Sequence, residues 1–213
     1  MPSTMSPERL HSLSSRFRGD LIRPDSESYD SARKVWNGMI DKRPAAILRC
    51  KSIADVQSAV RFARENELPV AIRGGGHNAA GLGTCDDGIV IDLGGMRDVV
   101  VDPARRVARA GGGTTWGDFD RATAQHGLAT TGGAVSTTGI AGLTLGGGLG
   151  WLMRSYGMTC DNLIGAEVVT ADGQLRRASE AENPDLLWAL RGGGGNFGVV
   201  TTLEYQLHEV STI

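Results

Sequence analysis

The order of predicted elements gives an α+β fold with mixed sheets. Strands outnumber helices along the 213 residues. Several neighbouring strands connect through short turns, as hairpins do. The alternation that begins at Arg43 lacks the regular βαβ repetition of a doubly wound sheet.

Residues 1–24 are polar and rich in Ser, Arg and Pro, and read as a flexible or loosely docked arm. Tyr29–Arg43 spaces Ala32, Val35, Trp36, Met39 and Ile40 as a short helix or a partly buried connector would. Pro44–Cys50 is a short apolar strand. Ser52 then stands as an N-cap with Asp55 three residues on, close to a capping box. Ile53, Val56, Val60 and Ala63 follow at helical spacing to about Asn66. Leu68–Arg73 reads as a strand buried on both faces that runs into Gly74–Gly76.

Ile89–Leu93 and Asp98–Val101 are strands, and Arg105–Ala110 is another, joined through Asp102-Pro103. Thr115 with Asp118 starts a helix that reaches His126 before Gly127. Ala129–Thr131 is short and extended. Thr138–Met153 is small, apolar and glycine-rich, as a compact helix and turn packed on a ligand would be. Glu167–Thr170 and Gln174–Arg177 form a hairpin around Ala171-Asp172-Gly173. Asn183-Pro184 supplies an N-cap and a proline at the first helical position, with Leu186, Leu187 and Leu190 as the apolar face. Val199–Leu207 is a strand of strong β propensity.

Composition narrows the function. A net charge of −2 gives no electrostatic reason to expect nucleic acid or an anionic membrane. The first residues lack the apolar core of a signal peptide and no run approaches membrane-spanning length, so a cytoplasmic protein is expected. Cys50, Cys85 and Cys160 are odd in number and lack metal-site spacing, so neither a disulfide framework nor a metal site is expected.

The chain has 31 glycines, about twice the usual ~7%. They cluster at Gly74–Gly76, Gly111–Gly113, Gly146–Gly148 with Gly150, and Gly192–Gly195. Such clusters serve either tight turns or main chain that closely approaches a large ligand. In Arg73-Gly74-Gly75-Gly76-His77-Asn78-Ala79-Ala80-Gly81 a strand ends and consecutive N–H groups enter a loop able to cradle a pyrophosphate. It is neither a P-loop nor a GxGxxG fingerprint. Arg73 either adds charge there or is solvated at the strand end, and His77 alone is as readily a locally bonded loop histidine. The segment 130–156 keeps small residues for over twenty positions, suiting a flat cofactor on backbone or a close helix contact. In 192–200 a third glycine loop leads into an apolar strand.

Together RGGGHNAAG, GIAGLTLGGGLGWLMRSYGMTCDNL and GGGGNFGVVT resemble the FAD-binding domain of the vanillyl-alcohol-oxidase (PCMH-type) superfamily, in its berberine-bridge-enzyme-like group. The resemblance runs from about Arg43 to Leu207. It implies an oxidoreductase that oxidises an alcohol, sugar or amine by hydride transfer to FAD, and a PCMH-type domain of two α+β subdomains, about 43–103 and 104–213, preceded by an arm and connector over 1–42. It implies FAD contacts from Arg73, Gly74, Gly75, Gly76, His77, Asn78, Gly81, Thr138, Gly139, Gly142 and Val200. It also implies a single covalent link from His77 to the flavin 8α-methyl, through a neutral and nucleophilic imidazole nitrogen.

Two departures from the family pattern qualify this. Val135 stands where some relatives carry a second tethering cysteine, and a valine forms no thioether. The substrate-binding domain of the relatives, with its acid–base residue, has no counterpart before Ile213, so no catalytic base is assigned. Thr138 falls near a position that gates oxygen in relatives, which leaves oxidase and dehydrogenase both open. The alternative reading is a FAD-binding module that needs a separate substrate-binding subunit. A small-molecule substrate is the expected further partner, and its identity is not legible.

Overall fold

The computed structural model describes Leu13 and residues 17–210. Two sheets organise the chain. The first runs in the order β1 (Asp20–Ile22), β2 (Ala46–Arg49), β4 (Ile89–Asp92), β3 (Val70–Arg73). β2, β4 and β3 are parallel, while β1 joins antiparallel through the pairs Asp20–Arg49 and Ile22–Ile47. The second runs β5 (Val99–Asp102), β6 (Val107–Gly111), β10 (Val199–Gln206), β8 (Leu163–Val169), β9 (Leu175–Ser179), all antiparallel. A two-stranded ribbon pairs β7 (Leu128–Ala129) with β11 (His208–Glu209).

The expected elements form for the expected reasons, with four corrections. Most of the arm read over 1–24 lies outside the described residues; within it Asp20–Ile22 is an edge strand whose mixed polarity reflects that position, with only Ile22 buried. β5 pairs with β6, so the break between sheets lies between Asp92 and Val99 and not at residue 103. β3 is an edge strand whose Val70 is exposed, and so is not buried on both faces. Asn183 precedes a helix that starts at Pro184, but it adopts φ 50° and turns its amide to the Arg177 carbonyl (2.7 Å) instead of capping. The connector 29–43 contains one short helix, α1 (Tyr29–Ala32).

The helix α2 (Ile53–Glu65) shows how sequence sets position. Ser52 Oγ accepts from the Asp55 N–H (3.2 Å), closing the predicted cap. Asp55 is itself buried and accepts the backbone N–H groups of Arg18 (2.8 Å) and Lys51 (3.0 Å). Val56, Ala59, Phe62 and Ala63 bury one face against Leu48, Ile89 and Ile91 of the first sheet and Val169 and Val199 of the second. From its other side Gln57 Nε2 and Arg61 Nη2 both donate to the Gly173 carbonyl (2.9 Å each), in the β8–β9 turn. One helix therefore fastens both sheets.

The second core is aromatic. Trp116 and Phe119 lie on α3 (Trp116–Ala124) and meet Tyr205 of β10, with ring centroids 5.2–6.1 Å apart at steep angles. Each such pair contributes about 0.5–1.5 kcal/mol beyond area burial. The Tyr205 hydroxyl pairs with Thr144 Oγ (2.7 Å) on α4 (Ile140–Leu145), so this core also anchors the glycine-rich helix. Two further helices, α5 (Met153–Tyr156) and α6 (Pro184–Leu190), complete the second half. No helix among the described residues is long and apolar enough to cross a membrane.

Candidate functional site

The site begins where β3 ends. Arg73 is 7% exposed, and its Nη2 donates to Asp92 Oδ2 (2.9 Å) at the end of β4. Asp92 also takes Arg49 Nε (3.3 Å) and, through Oδ1, the Gly94 N–H (2.9 Å). The charge of Arg73 is thus committed to an internal carboxylate. A buried pair of this kind costs 3–5 kcal/mol when one member is removed, so it braces the point at which the chain leaves the sheet.

The glycine loop that follows crosses the loop before α4. A β-carbon on Gly75 would lie 2.2 Å from Gly139 N, and one on Gly139 would lie 2.3 Å from Gly75 N. Two segments 64 residues apart in sequence meet backbone to backbone, which only glycine permits. This crossing carries His77 to Thr137 and Thr138. His77 Nε2 pairs with Thr137 Oγ (3.0 Å) and Nδ1 with Thr138 Oγ (3.3 Å). The imidazole also stacks on Trp36, with centroids 5.4 Å apart and planes 21° apart. Trp36 is held in turn by its N–H to the Gly76 carbonyl (3.1 Å).

The remaining expected residues divide. Gly74 and Gly76 line the same cleft as His77. Asn78 is exposed, and its Oδ1 accepts the Leu82 N–H (3.1 Å), so its side chain closes a turn. Gly81 (φ 74°) lies against Ile40 and serves that turn too. Gly142 is exposed on α4, with nothing within 4 Å of the place a β-carbon would take. Val200 is 3% exposed and packs in the aromatic core, while its carbonyl stands 2.3 Å from where a Gly112 β-carbon would be.

The cleft itself has a volume of about 480 Å³, within the range of small-molecule sites. Ser31, Lys34, Trp36, Arg49 and Arg73 line it beside the Gly74–His77 loop and Thr137. No carboxylate is among its lining residues, and Lys34 has no carboxylate partner among the described residues. The donor set is cationic side chains plus backbone, which suits an anionic ligand. The sequence did not single out Lys34, Arg49 or Thr137. Trp36 was noted only as part of a connector, and Thr137 lay beside a named threonine without a reason of its own.

Comparison with known proteins gives the chain its cofactor class. The FAD binding domain family model matches residues 44–179. The chain is 44% identical over 194 residues to (R)-6-hydroxynicotine oxidase of Paenarthrobacter nicotinovorans, covering 91% of this chain and 42% of that protein. The chain belongs to the berberine-bridge-enzyme-like FAD-linked oxidoreductases. Its fold agrees with the crystal structure of 6-hydroxy-D-nicotine oxidase from Arthrobacter nicotinovorans at a TM-score of 0.89, 44% identity, and coverage of 91% of this chain and 43% of that one. It agrees with Physcomitrella patens BBE-like 1 at 0.90, 31% identity, and coverage of 96% and 45%.

FAD is therefore the cofactor class of this berberine-bridge-enzyme-like chain, and the cationic, carboxylate-free cleft fits its pyrophosphate. The chain spans less than half the length of these relatives. Among the described residues, no group of three or more His, Cys, Asp or Glu side chains is arranged to hold a metal ion.

Proposed function

We propose that this chain is the FAD-holding part of an oxidoreductase acting on an alcohol, sugar or amine, with His77 as the single covalent attachment point. The observation that carries the reading is the Gly75–Gly139 crossing, which delivers His77 to a cleft lined by Lys34, Arg49 and loop backbone. Gly74, Gly75 and Gly76 offer main-chain N–H groups to the pyrophosphate, and Lys34 and Arg49 offset its charge. Gly142 leaves room for the cofactor to lie on the first turn of α4. Val200 and Gly112 bring backbone to the adenine side. When bound, FAD supplies the two-electron acceptor for a hydride from substrate.

Arg73 lines the cleft with its guanidinium paired to Asp92, so in this reading it holds the loop and adds positive charge at the wall. Asn78 and Gly81 shape the turn that follows. Val135, 54% exposed on the loop before Thr137, offers no thiol for a second tether.

The absence of a carboxylate among the cleft-lining residues favours a second reading of the same site. In it, the group that takes the substrate proton comes from outside residues 17–210, either from further chain or from a separate substrate-binding subunit. A turnover assay on the chain with fully loaded flavin separates the readings, because sustained oxidation by this chain alone sinks the module reading.

Acid precipitation tests the covalent claim. The wild-type pellet stays yellow and its mass rises by one FAD. His77→Ala releases its flavin into the supernatant while still binding it under native conditions. Complete release from the wild type would overturn the covalent link and leave FAD binding intact.

A further inference from the structure

We propose that Thr137 and Thr138 are positioning residues that fix His77 in one orientation for bonding to the flavin; this rests on the covalent reading above. The imidazole is constrained on three sides. Trp36 covers one face at 5.4 Å. Thr137 Oγ holds Nε2 at 3.0 Å and Thr138 Oγ holds Nδ1 at 3.3 Å. Rotation of the ring about its Cβ–Cγ bond would break both polar contacts and the stack together.

The hydroxyls do more than hold the plane. A neutral imidazole has one N–H donor and one bare acceptor nitrogen, whereas a threonine hydroxyl can donate or accept. One threonine must accept the ring N–H while the other donates to the bare nitrogen. The neutral ring is the nucleophile, and the two hydroxyls can satisfy both of its nitrogens in place. Thr137 lines the cleft and Thr138 does not, so the two nitrogens are inequivalent towards the ligand.

The step balances with dioxygen as the oxidant. His77 forms an N–C bond to the cofactor's 8α carbon, one 8α C–H proton leaves, and the ring's own N–H proton leaves from the opposite nitrogen. The two electrons released reduce dioxygen, with those two protons, to hydrogen peroxide. The hydroxyl that accepts the N–H lies on the path of the departing proton. The other must turn its O–H away for the bond to form.

Thr138 also serves the backbone, through its carbonyl to the Trp116 N–H (2.9 Å) and its N–H to the Val135 carbonyl (3.0 Å). Valine keeps both of those bonds and the shape of the side chain, and removes only the hydroxyl. Thr137→Val, Thr138→Val and their serine counterparts are mixed with FAD, and acid-stable flavin is followed against total bound flavin. Each valine variant is expected to bind FAD stoichiometrically. The valine variant that loses the hydroxyl accepting the ring N–H is expected to attach FAD about 5- to 10-fold more slowly, the worth of one ordinary hydrogen bond, while the variant that loses the hydroxyl that must turn away is not slowed. Each serine variant is expected to attach it at close to the wild-type rate, which a purely structural defect would not allow. Wild-type attachment in both valine variants overturns the proposal alone. Loss of all flavin in acid from the wild type overturns the covalent reading, and this proposal with it.

Discussion

Gly75→Ala offers the sharpest test of how the site is assembled. The new methyl carbon would stand 2.2 Å from Gly139 N and 2.6 Å from Gly139 Cα. Ordinary contact begins at 3.4 Å, so the two loops must part by about 1.2 Å. Both neighbours are backbone, and neither can swing aside as a side chain would. Overpacking of this kind costs about 1–3 kcal/mol, and the upper end applies where no side chain can yield. For a chain of this size that lowers Tm by roughly 6–12 °C. The same displacement withdraws Thr137 and Thr138 from His77, so acid-stable flavin falls as well. Gly142→Ala is the matched control. Its β-carbon meets nothing within 4 Å, and alanine in a helix is favoured over glycine by about 1 kcal/mol. That variant should be as stable as wild type or more so, and yet bind FAD more weakly if the cofactor lies on α4. Thermal unfolding and flavin titration of both variants decide the matter. A Gly75→Ala protein with wild-type Tm and wild-type flavin attachment would refute the crossing as the organising feature.

Two further predictions concern charge. Asp92→Asn leaves the buried Arg73 without its counter-charge and is expected to cost about 3–5 kcal/mol; denaturant unfolding measures it, and a loss below about 1 kcal/mol would refute the pair as the brace of the strand end. His208 on β11 stacks on Tyr156 with centroids 3.9 Å apart and pairs through Nε2 with Asn162 Oδ1 (2.7 Å). Burial, reinforced by Arg106, pushes its pKa below the usual histidine value. The unfolded chain then binds the proton more readily, so this contribution is complete above about pH 6.5 and is lost as pH falls through the lower folded value. His208→Gln should flatten that part of the stability profile, and an unchanged acid limb would exclude His208 as its source.

Much of the fold was legible because it is set locally. The Ser52 cap, the Asp172-Gly173 hairpin and the β10 run each announce themselves within a few residues. What was hidden depends on pairing between distant segments. Asp20–Ile22 is too short and too polar to stand out, and becomes a strand only because β2 offers an open edge. Val99–Asp102 follows the first sheet in sequence but pairs forward with β6. Whether Val70 is buried depends on which strand lies beside β3, and periodicity carries no such information.

The site divides in the same way. The glycines and His77 stood out because glycine clusters are rare and each has a local meaning. Trp36, Thr137, Lys34 and Arg49 did not, since each acquires its place from the tertiary fold.

The structure also changes the meaning of the most conspicuous charge in the motif. An arginine immediately before three glycines invites the view that it meets the anion. Arg73 does line the cleft, but its guanidinium is 7% exposed and paired with Asp92. Asp92 in turn holds Gly94 N, and the Leu93 N–H holds the Arg73 carbonyl (2.8 Å), so the ends of β3 and β4 are tied to one another. A free cation at this point would attract an anion but leave the strand end loose. A braced strand end fixes the direction in which Gly74 and Gly75 leave the sheet, and so the crossing with Gly139. Lys34, Arg49 and Arg73 all stand at the cleft wall, the two arginines sharing Asp92, so the arginine of the motif contributes order as well as charge.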